Sequence, residues 1–397
     1  MAVTTLGSRG EAAAKASFFY RPEVRQVIYQ VVLAIALVTF FWYIIHNTII
    51  NLARLGIASG FGFWDRTAGF DIGQHLIPYS AISSYGRAFW VGLWNTVLIS
   101  AIGIVLATII GFIVGVARLS KNWLVARIGT VFVEGLRNIP LLLLLFFFYY
   151  AVLGALPQAR NAYSLPGGAF LSNRGLMTPS PIFEPGFEYV EFAFLAAVGL
   201  AIAIGIWAKR RRLATGQPFP AIWTGLAIII ALPLIVALLM GRPLSFDYPV
   251  KSTFNFSGGF TMTPEFMSLL FGLSFYTASF IAEIVRSGIL AVSTGQKEAA
   301  AALGLKPTQS LRLVVMPQAL RIMIPPMTSS YLSLTKNSSL GLAIAYPDLV
   351  NVTGTMLNQT GQAVEIILLT MAVYLTLSLL TSLFMNWFNS HIALVER

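Results

Sequence analysis

The 397-residue chain contains no cysteine and only three histidines, and just 10% of its residues are charged, where a soluble protein would carry roughly a quarter. Without cysteine there are no disulfides, thiolate metal sites or cysteine nucleophiles. His46, His75 and His391 are scattered along the sequence, so no metal centre and no catalytic residue is assigned. The sequence also lacks a Gly-x4-Gly-Lys-[Ser/Thr] phosphate loop, and no Gly-Lys dipeptide occurs anywhere in it. The shortage of charge implies that much of the chain is not solvated by water.

What is present supports a membrane protein. Hydrophobic residues make up 57% of the chain and mean hydropathy is +0.76. Apolar runs fall at 27–50, 90–116, 131–154, 191–208, 219–240, 265–285, 322–346 and 364–388. Most approach or exceed the ~20 residues that cross a hydrocarbon core. Backbone groups in lipid must pair within their own segment, so these runs are expected to be helices. The fold class expected is an all-α integral membrane protein with about eight transmembrane helices. The seventh run departs most from the pattern, because it contains Pro325, Pro326 and the polar stretch Thr335–Ser339. Residues before 27 are polar, and the run after them is too long for a signal-peptide core, so it reads as a retained span.

The net charge of +11 could suggest a nucleic-acid partner, but the basic residues cluster between apolar runs, which points to membrane orientation instead. With the N-terminus inside, 17 Lys and Arg fall in inner segments, among them Arg118, Lys121 and Lys209–Arg212. Seven, including Arg66, Arg160 and Arg174, fall in longer outer loops. That bias sets both termini on the cytoplasmic side. The outer loops 51–89 and 155–190 are rich in Gly, Pro and aromatics, and either connect spans or face a partner.

Residues 295–326 read GQKEAAAALGLKPTQSLRLVVMPQALRIMIPP. Ser293-x-x-Gln296 has capping-box spacing, and Glu298 puts negative charge near a helix start. Ala299–Ala302 favours helix with little side-chain bulk. Gly304 is placed to end that helix, and a second would run from Pro307 to Pro317. The result would be two short helices with a face of small residues, either an ordinary surface loop or a docking element.

The spacing resembles a known signature. Glu298-Ala299-Ala300, then Gly304, then Val314-x-Met316-Pro317 matches the EAA loop of ATP-binding-cassette (ABC) importer permeases, with Val and Met in place of Ile and Leu. Glu283-Ile-Val-Arg286-Ser-Gly288, Pro317-Gln-Ala-Leu-Arg321, Lys336-Asn-Ser-Ser-Leu340, Trp94-Asn-Thr96 and Glu134-x-x-Arg137-Asn-x-Pro140 resemble the polar amino-acid permeases of the histidine and glutamine type. The likeness covers about 88–154 and 262–390, a five-helix type I importer core. The extra helices resemble those in the larger subunits of alphaproteobacterial general L-amino-acid or glutamate/glutamine-type importers.

The resemblance implies a layout. A cytoplasmic segment (1–26) precedes an extra helix and periplasmic loop (27–87) and the first core part (88–154). An insertion with two extra helices (155–261), the second core part (262–390, with the EAA loop at 286–325) and a tail (391–397) complete it. It implies a permease subunit in a bacterial inner membrane that moves L-amino acids inward. The partners implied are a paralogous permease in a heterodimer, an ABC ATPase dimer and a periplasmic amino-acid-binding protein. ATP and Mg would sit on the ATPase, and this chain would hold no cofactor and perform no catalysis. Glu298, Ala299, Ala300, Gly304 and Pro317 would form the coupling element.

Charges within spans are functional candidates, since one at mid-bilayer costs about 2.5–3.5 kcal/mol on insertion scales. Glu134/Arg137 and Glu283/Arg286 stand at i,i+3 near span ends, where mutual neutralisation explains them best. Lys336 lies among Thr335, Asn337, Ser338 and Ser339, a set able to bind a substrate carboxylate. It could equally neutralise a neighbouring carboxylate or mark a helix break, and if 335–339 is unwound it would line a cavity. Gly103, Ala107, Gly111 and Gly115, every fourth residue of the second span, suit close helix packing. The competing class is an ion-driven secondary amino-acid transporter, which would show repeated spans and buried mid-membrane carboxylates. An intramembrane enzyme ranks last, for want of a paired His/Glu constellation.

Overall fold

The computed structural model describes residues 22–54, 56, 59–252 and 255–392; most of the expected N-terminal segment and the last five residues of the tail lie outside these. Helix α1 (Pro22–Arg54) stands apart, with none of its most apolar stretch buried, as suits a helix surrounded by lipid. A compact loop, residues 59–84, comes next, and Phe63, Ala68 and Ile72 are buried in it. Helix α2 (Tyr85–Ala117) starts where the Ser84 hydroxyl accepts a hydrogen bond from the Arg87 N–H.

The third expected span is broken. Helix α3 (Trp123–Arg137) and helix α4 (Leu141–Leu153) are bent by 109° at Asn138–Pro140. Pro140 pushes the residue before it out of helical geometry. The Asn138 amide covers a freed carbonyl, donating to Glu134 O at 2.7 Å. Helix α3 also begins eight residues before the apolar run, capped by Asn122.

The insertion is better ordered than its Gly- and Pro-rich sequence suggests. Strands β1 (Tyr163–Leu165), β2 (Ala169–Ser172), β3 (Gly175–Thr178) and β4 (Ser180–Phe183) precede helices α5 (Phe187–Thr215) and α6 (Ala221–Leu239). Strands β5 (Leu244–Asp247), β6 (Val250–Lys251), β7 (Phe256–Ser257) and β8 (Phe260–Met262) come after them. β3 pairs antiparallel with β8, Met177 opposite Thr261, and β4 pairs with β5, so strands before and after the α5–α6 hairpin close its base. The hairpin is little buried, and the two helices meet closely at Gly225, where an added Cβ would lie 3.3 Å from Ala201 Cβ.

Helix α7 (Pro264–Leu290) is the centre of the core and mostly buried. Pro264 occupies its first turn, and the Thr263 hydroxyl caps it by accepting from Phe266 N–H. The small-residue ladder of α2 lies against it. A Cβ at Gly111 would stand 2.7 Å from Ile281 Cβ, and one at Gly115 would stand 2.7 Å from Ala282 O. Gly103 faces Leu334 of helix α10 (Met316–Asn337). Helices α8 (Thr294–Ala302) and α9 (Pro307–Ser310) lie between α7 and α10.

The chain does not stop at Pro317 as the spacing implied. It passes from α9 through a π turn, Leu311–Val315, into α10, and Met316 N–H reaches back five residues to Leu311 O. The wider turn accommodates a proline that cannot donate. Nor is 335–339 unwound: α10 tightens into a 3₁₀ segment, Ser338–Ile344. The Thr335, Ser338 and Ser339 hydroxyls donate to the carbonyls of Tyr331, Thr335 and Lys336 at 2.8–3.1 Å.

Helix α11 (Leu349–Thr360), capped by Asp348, and helix α12 (Ala363–Ile392) complete the chain. Asn95 and Thr96 tie α2 to this end. Asn95 Nδ2 donates to Pro347 O at 2.9 Å, and Leu349 N–H donates to Thr96 Oγ1 at 2.9 Å. Among the described residues six helices are long and apolar enough to cross a membrane, or seven if the bent pair counts as one span; α10, the remaining expected span, is more polar than these. The protein is thus a predominantly helical membrane protein in which the strands are a minor part.

Candidate coupling loop and translocation pocket

Helix α8 is built to be held firmly and left exposed. Ala300 alone is buried, while Glu298, Ala299, Ala301 and Ala302 face outward and Leu303 is 81% exposed. The helix ends in a Schellman arrangement: Leu305 N–H donates to Ala300 O at 3.1 Å and Gly304 N–H to Ala301 O at 2.9 Å. Gly304 takes φ +73°, a conformation that glycine adopts without a Cβ penalty. The expected capping box at Ser293 does not form, because its side chain makes no cap bond. Gln296 instead accepts from Gln318 Nε2 of α10 at 3.4 Å. The next helix is capped in its place, Gln309 Oε1 accepting from Lys306 N–H at 3.0 Å.

The loop hangs from two crossing helices. Gly288 of α7 meets Met323 and Ala319 of α10, where an added Cβ would be 2.5 Å from Met323 Cγ. Val315, Ala319 and Met323 are buried against this crossing, so Pro317 sits at the root of α10 and is itself partly covered. α8 follows α7 after Ala291–Ser293 and touches α10 through the Gln296–Gln318 contact.

Of the two i,i+3 charge pairs only one forms. Glu283 Oε1 accepts from Arg286 Nη2 at 2.7 Å, and Glu283 Oε2 accepts from Arg118 Nη1 just beyond α2. Arg118, 11% exposed at its side chain, was missed in the sequence because its partner lies 165 residues away. Glu134 and Arg137 do not pair with each other. Both are exposed, and Arg137 lies over the Phe280 ring of α7, 5.0 Å from its centroid, a cation–π contact. The bend after α3 leaves Arg137 free to reach α7 rather than its own helix.

Between α7 and α10 lies a cavity of about 360 Å³ lined by Tyr276, Thr277, Phe280, Ser329, Ser330, Ser333, Lys336 and Asn337. Of the residues 335–339, Lys336 and Asn337 line it. Thr335 and Ser338 are buried away from the cavity, and Ser339 does not line it. The serines that do, at 329, 330 and 333, stand one and two turns before Lys336, a helical spacing legible in the sequence beside the denser polar run 335–339. One ammonium, one amide, the hydroxyls of three serines, Thr277 and Tyr276, and two aromatic rings can meet a carboxylate and an apolar or polar side chain.

These features together define a permease: a helical membrane body with a polar cavity, joined through shared helices to an exposed loop at one end. The family described as the binding-protein-dependent transport system inner membrane component matches residues 197–394. The chain is 55% identical over its whole length, and 99% of the relative's, to the general L-amino acid transport system permease protein AapQ of Rhizobium johnstonii. It is 41% identical to the glutamate/glutamine/aspartate/asparagine transport system permease protein BztB of Rhodobacter capsulatus, over 95% of this chain and 96% of that one. The chain belongs to the amino-acid ABC transporter permeases, as the EAA loop implied.

Proposed function

We propose that this chain is one of two paired permease subunits that carry L-amino acids from the periplasm to the cytoplasm, driven by a separate ABC ATPase dimer. The observation that carries this reading is α8, an exposed helix of small residues fixed by the Gly304 cap and hung between the two helices that line the polar cavity. Its bare Ala face and Leu303 suit a groove on an ATPase, which would bind ATP and Mg. Positive charge at the Arg118–Glu283–Arg286 end supports a cytoplasmic placement of that end and of both termini. The sheets would then lie on the periplasmic side, where a binding protein delivers its ligand. In the cavity Lys336 would meet the substrate carboxylate and the serines would share it. Family membership speaks against the ion-driven alternative.

Reconstitution tests this. Co-purification in mild detergent should bring an ATPase and a second permease, and hydrolysis should rise with liganded binding protein. Glu298→Lys should abolish that rise. A chain that purifies alone and transports on an ion gradient would overturn the proposal.

A further inference from the structure

We infer that the cavity between α4, the start of α7 and the β2–β3 turn is a binding station for free α-amino acids. It would recognise their ammonium and carboxylate groups and not their side chains. The site is separate from the Lys336 cavity, and only the choice of ligand rests on the amino-acid import reading. The cavity measures about 690 Å³, within the range of roughly 300–1,000 Å³ typical of small-molecule sites.

Its lining brings together one carboxylate and one guanidinium from different parts of the chain. Glu265 comes from the first turn of α7, in the core, and Arg174 from the tight turn between β2 and β3, in the insertion. Among the described residues neither forms an ion pair within 4.0 Å, with each other or with any other group. The carboxylate is held by a side-chain hydrogen bond, and the turn that carries Arg174 is pinned through its backbone. Tyr149 Oη donates to Glu265 Oε1 at 2.9 Å, which fixes the carboxylate and leaves its second oxygen for an ammonium. The Arg174 turn is pinned because Asn173 N–H donates to Pro157 O at 2.9 Å and Arg174 N–H to Ser172 Oγ at 3.2 Å.

A zwitterion is the small ligand that satisfies both charges at once. Its carboxylate would take the planar fork of Arg174 and its ammonium would face Glu265, each a charge-assisted hydrogen bond. Asn255 and Thr261, also in the lining, add neutral donors and acceptors, and the remaining volume leaves room for side chains of differing size. The signature is therefore strict dependence on both α-groups with tolerance beyond them.

The test uses the assembled transporter in lipid nanodiscs, without binding protein or ATP. Affinity is measured by saturation-transfer NMR for L-alanine, L-alaninamide and N-acetyl-L-alanine. L-alanine should bind at least about tenfold more tightly than either blocked form, the scale of one hydrogen bond to a charged group. Arg174 is exposed on a turn, so Arg174→Gln should fold. It should weaken L-alanine about tenfold and erase its advantage over L-alaninamide, with Arg174→Lys restoring part of it. Glu265→Gln should erase the advantage over N-acetyl-L-alanine. The same Arg174→Gln loss should appear in a Lys336→Met background, which removes the other cavity's cation.

Unchanged L-alanine affinity in Arg174→Gln would overturn the inference, as would equal binding of the blocked forms. So would an Arg174→Gln variant that loses affinity for the binding protein while keeping L-alanine, since the occupant would then be a protein loop. Failure of the import reading would look different: wild-type proteoliposomes complete with binding protein and ATP would take up no amino acid. Failure of the station alone would leave that uptake intact.

Discussion

Gly304 offers the cleanest perturbation of the proposed coupling loop, because only one physical effect operates there. Its φ is +73°, and a Cβ added at that position would meet nothing within 4 Å. Gly304→Ala therefore introduces no clash and costs only the left-handed conformation, about 1–2 kcal/mol for an ordinary L-residue. That free energy shifts the population of the intact cap roughly 5–30-fold. The two cap bonds, Gly304 N–H to Ala301 O and Leu305 N–H to Ala300 O, would be lost together, and α8 would fray at its exposed end. Gly304→Asn should cost less, because asparagine visits this conformation readily. The assay is ATP hydrolysis stimulated by liganded binding protein in proteoliposomes, with uptake per ATP measured alongside. Stimulation should rank Gly above Asn above Ala. The melting temperature should stay constant, since Ala300 is the one residue of α8 buried in the fold. If Asn is worse than Ala, side-chain bulk against the ATPase governs and the backbone argument is wrong. If Ala matches wild type, the cap plays no part in coupling.

Other positions give equally direct outcomes. Gly111→Leu would drive a side chain into Ile281 and the Ala278 carbonyl of α7, and the assembled protein should melt lower or fail to assemble, as seen by fluorescence-detected size exclusion. Glu283→Gln removes the negative charge and turns one of the two oxygens that accept from Arg118 and Arg286 into a donor; because Arg118 is nearly buried, the loss should be about 1.5–3 kcal/mol, the scale of a hydrogen bond to a charged group, read as a lower melting temperature that Arg118→Met partly restores. Lys336→Met should leave assembly and basal ATP hydrolysis unchanged while lowering uptake, read with radiolabelled amino acid; unchanged uptake would remove Lys336 from the substrate path.

How far the sequence reveals this molecule depends on whether each feature is local. The long apolar helices and the Gly304 cap are written in consecutive residues, and they appear where periodicity and turn chemistry place them. The β-strands were hidden because their Gly- and Pro-rich residues read as loop, and two of the pairings, 175–178 with 260–262 and 180–183 with 244–247, also cross a helical hairpin. The break at Asn138–Pro140 was signalled by proline, but the continuous hydropathy on either side masked it. The Arg118 contact and the burial of Thr335 and Ser338 depend on which helix lies alongside, which composition does not encode. The serine row at 329, 330 and 333 was legible at helical spacing and obscured by the denser polar run just after it.

The two ends of the candidate site share the same two helices, and this gives a route from loop to cavity. From Pro317 to Lys336, α10 runs nineteen residues, about 28 Å at the helical rise of ~1.5 Å per residue. α7 carries Phe280 at the cavity, Glu283 at the charge cluster and Gly288 at the crossing with α10. A crossing with no side chain on one partner lets the helices pivot closely. Gly288→Ala would place its Cβ 2.5 Å from Met323 Cγ and 3.4 Å from Ala319 O, and Met323, 1% exposed, has little room to retreat. The helices should separate at the pivot while α8 remains exposed, so that ATPase docking survives and uptake per ATP falls. Met323→Ala in the same chain removes the obstructing side chain and should restore uptake. If Gly288→Ala leaves uptake per ATP unchanged, or the double variant is no better than the single, the α7–α10 crossing does not transmit the motion.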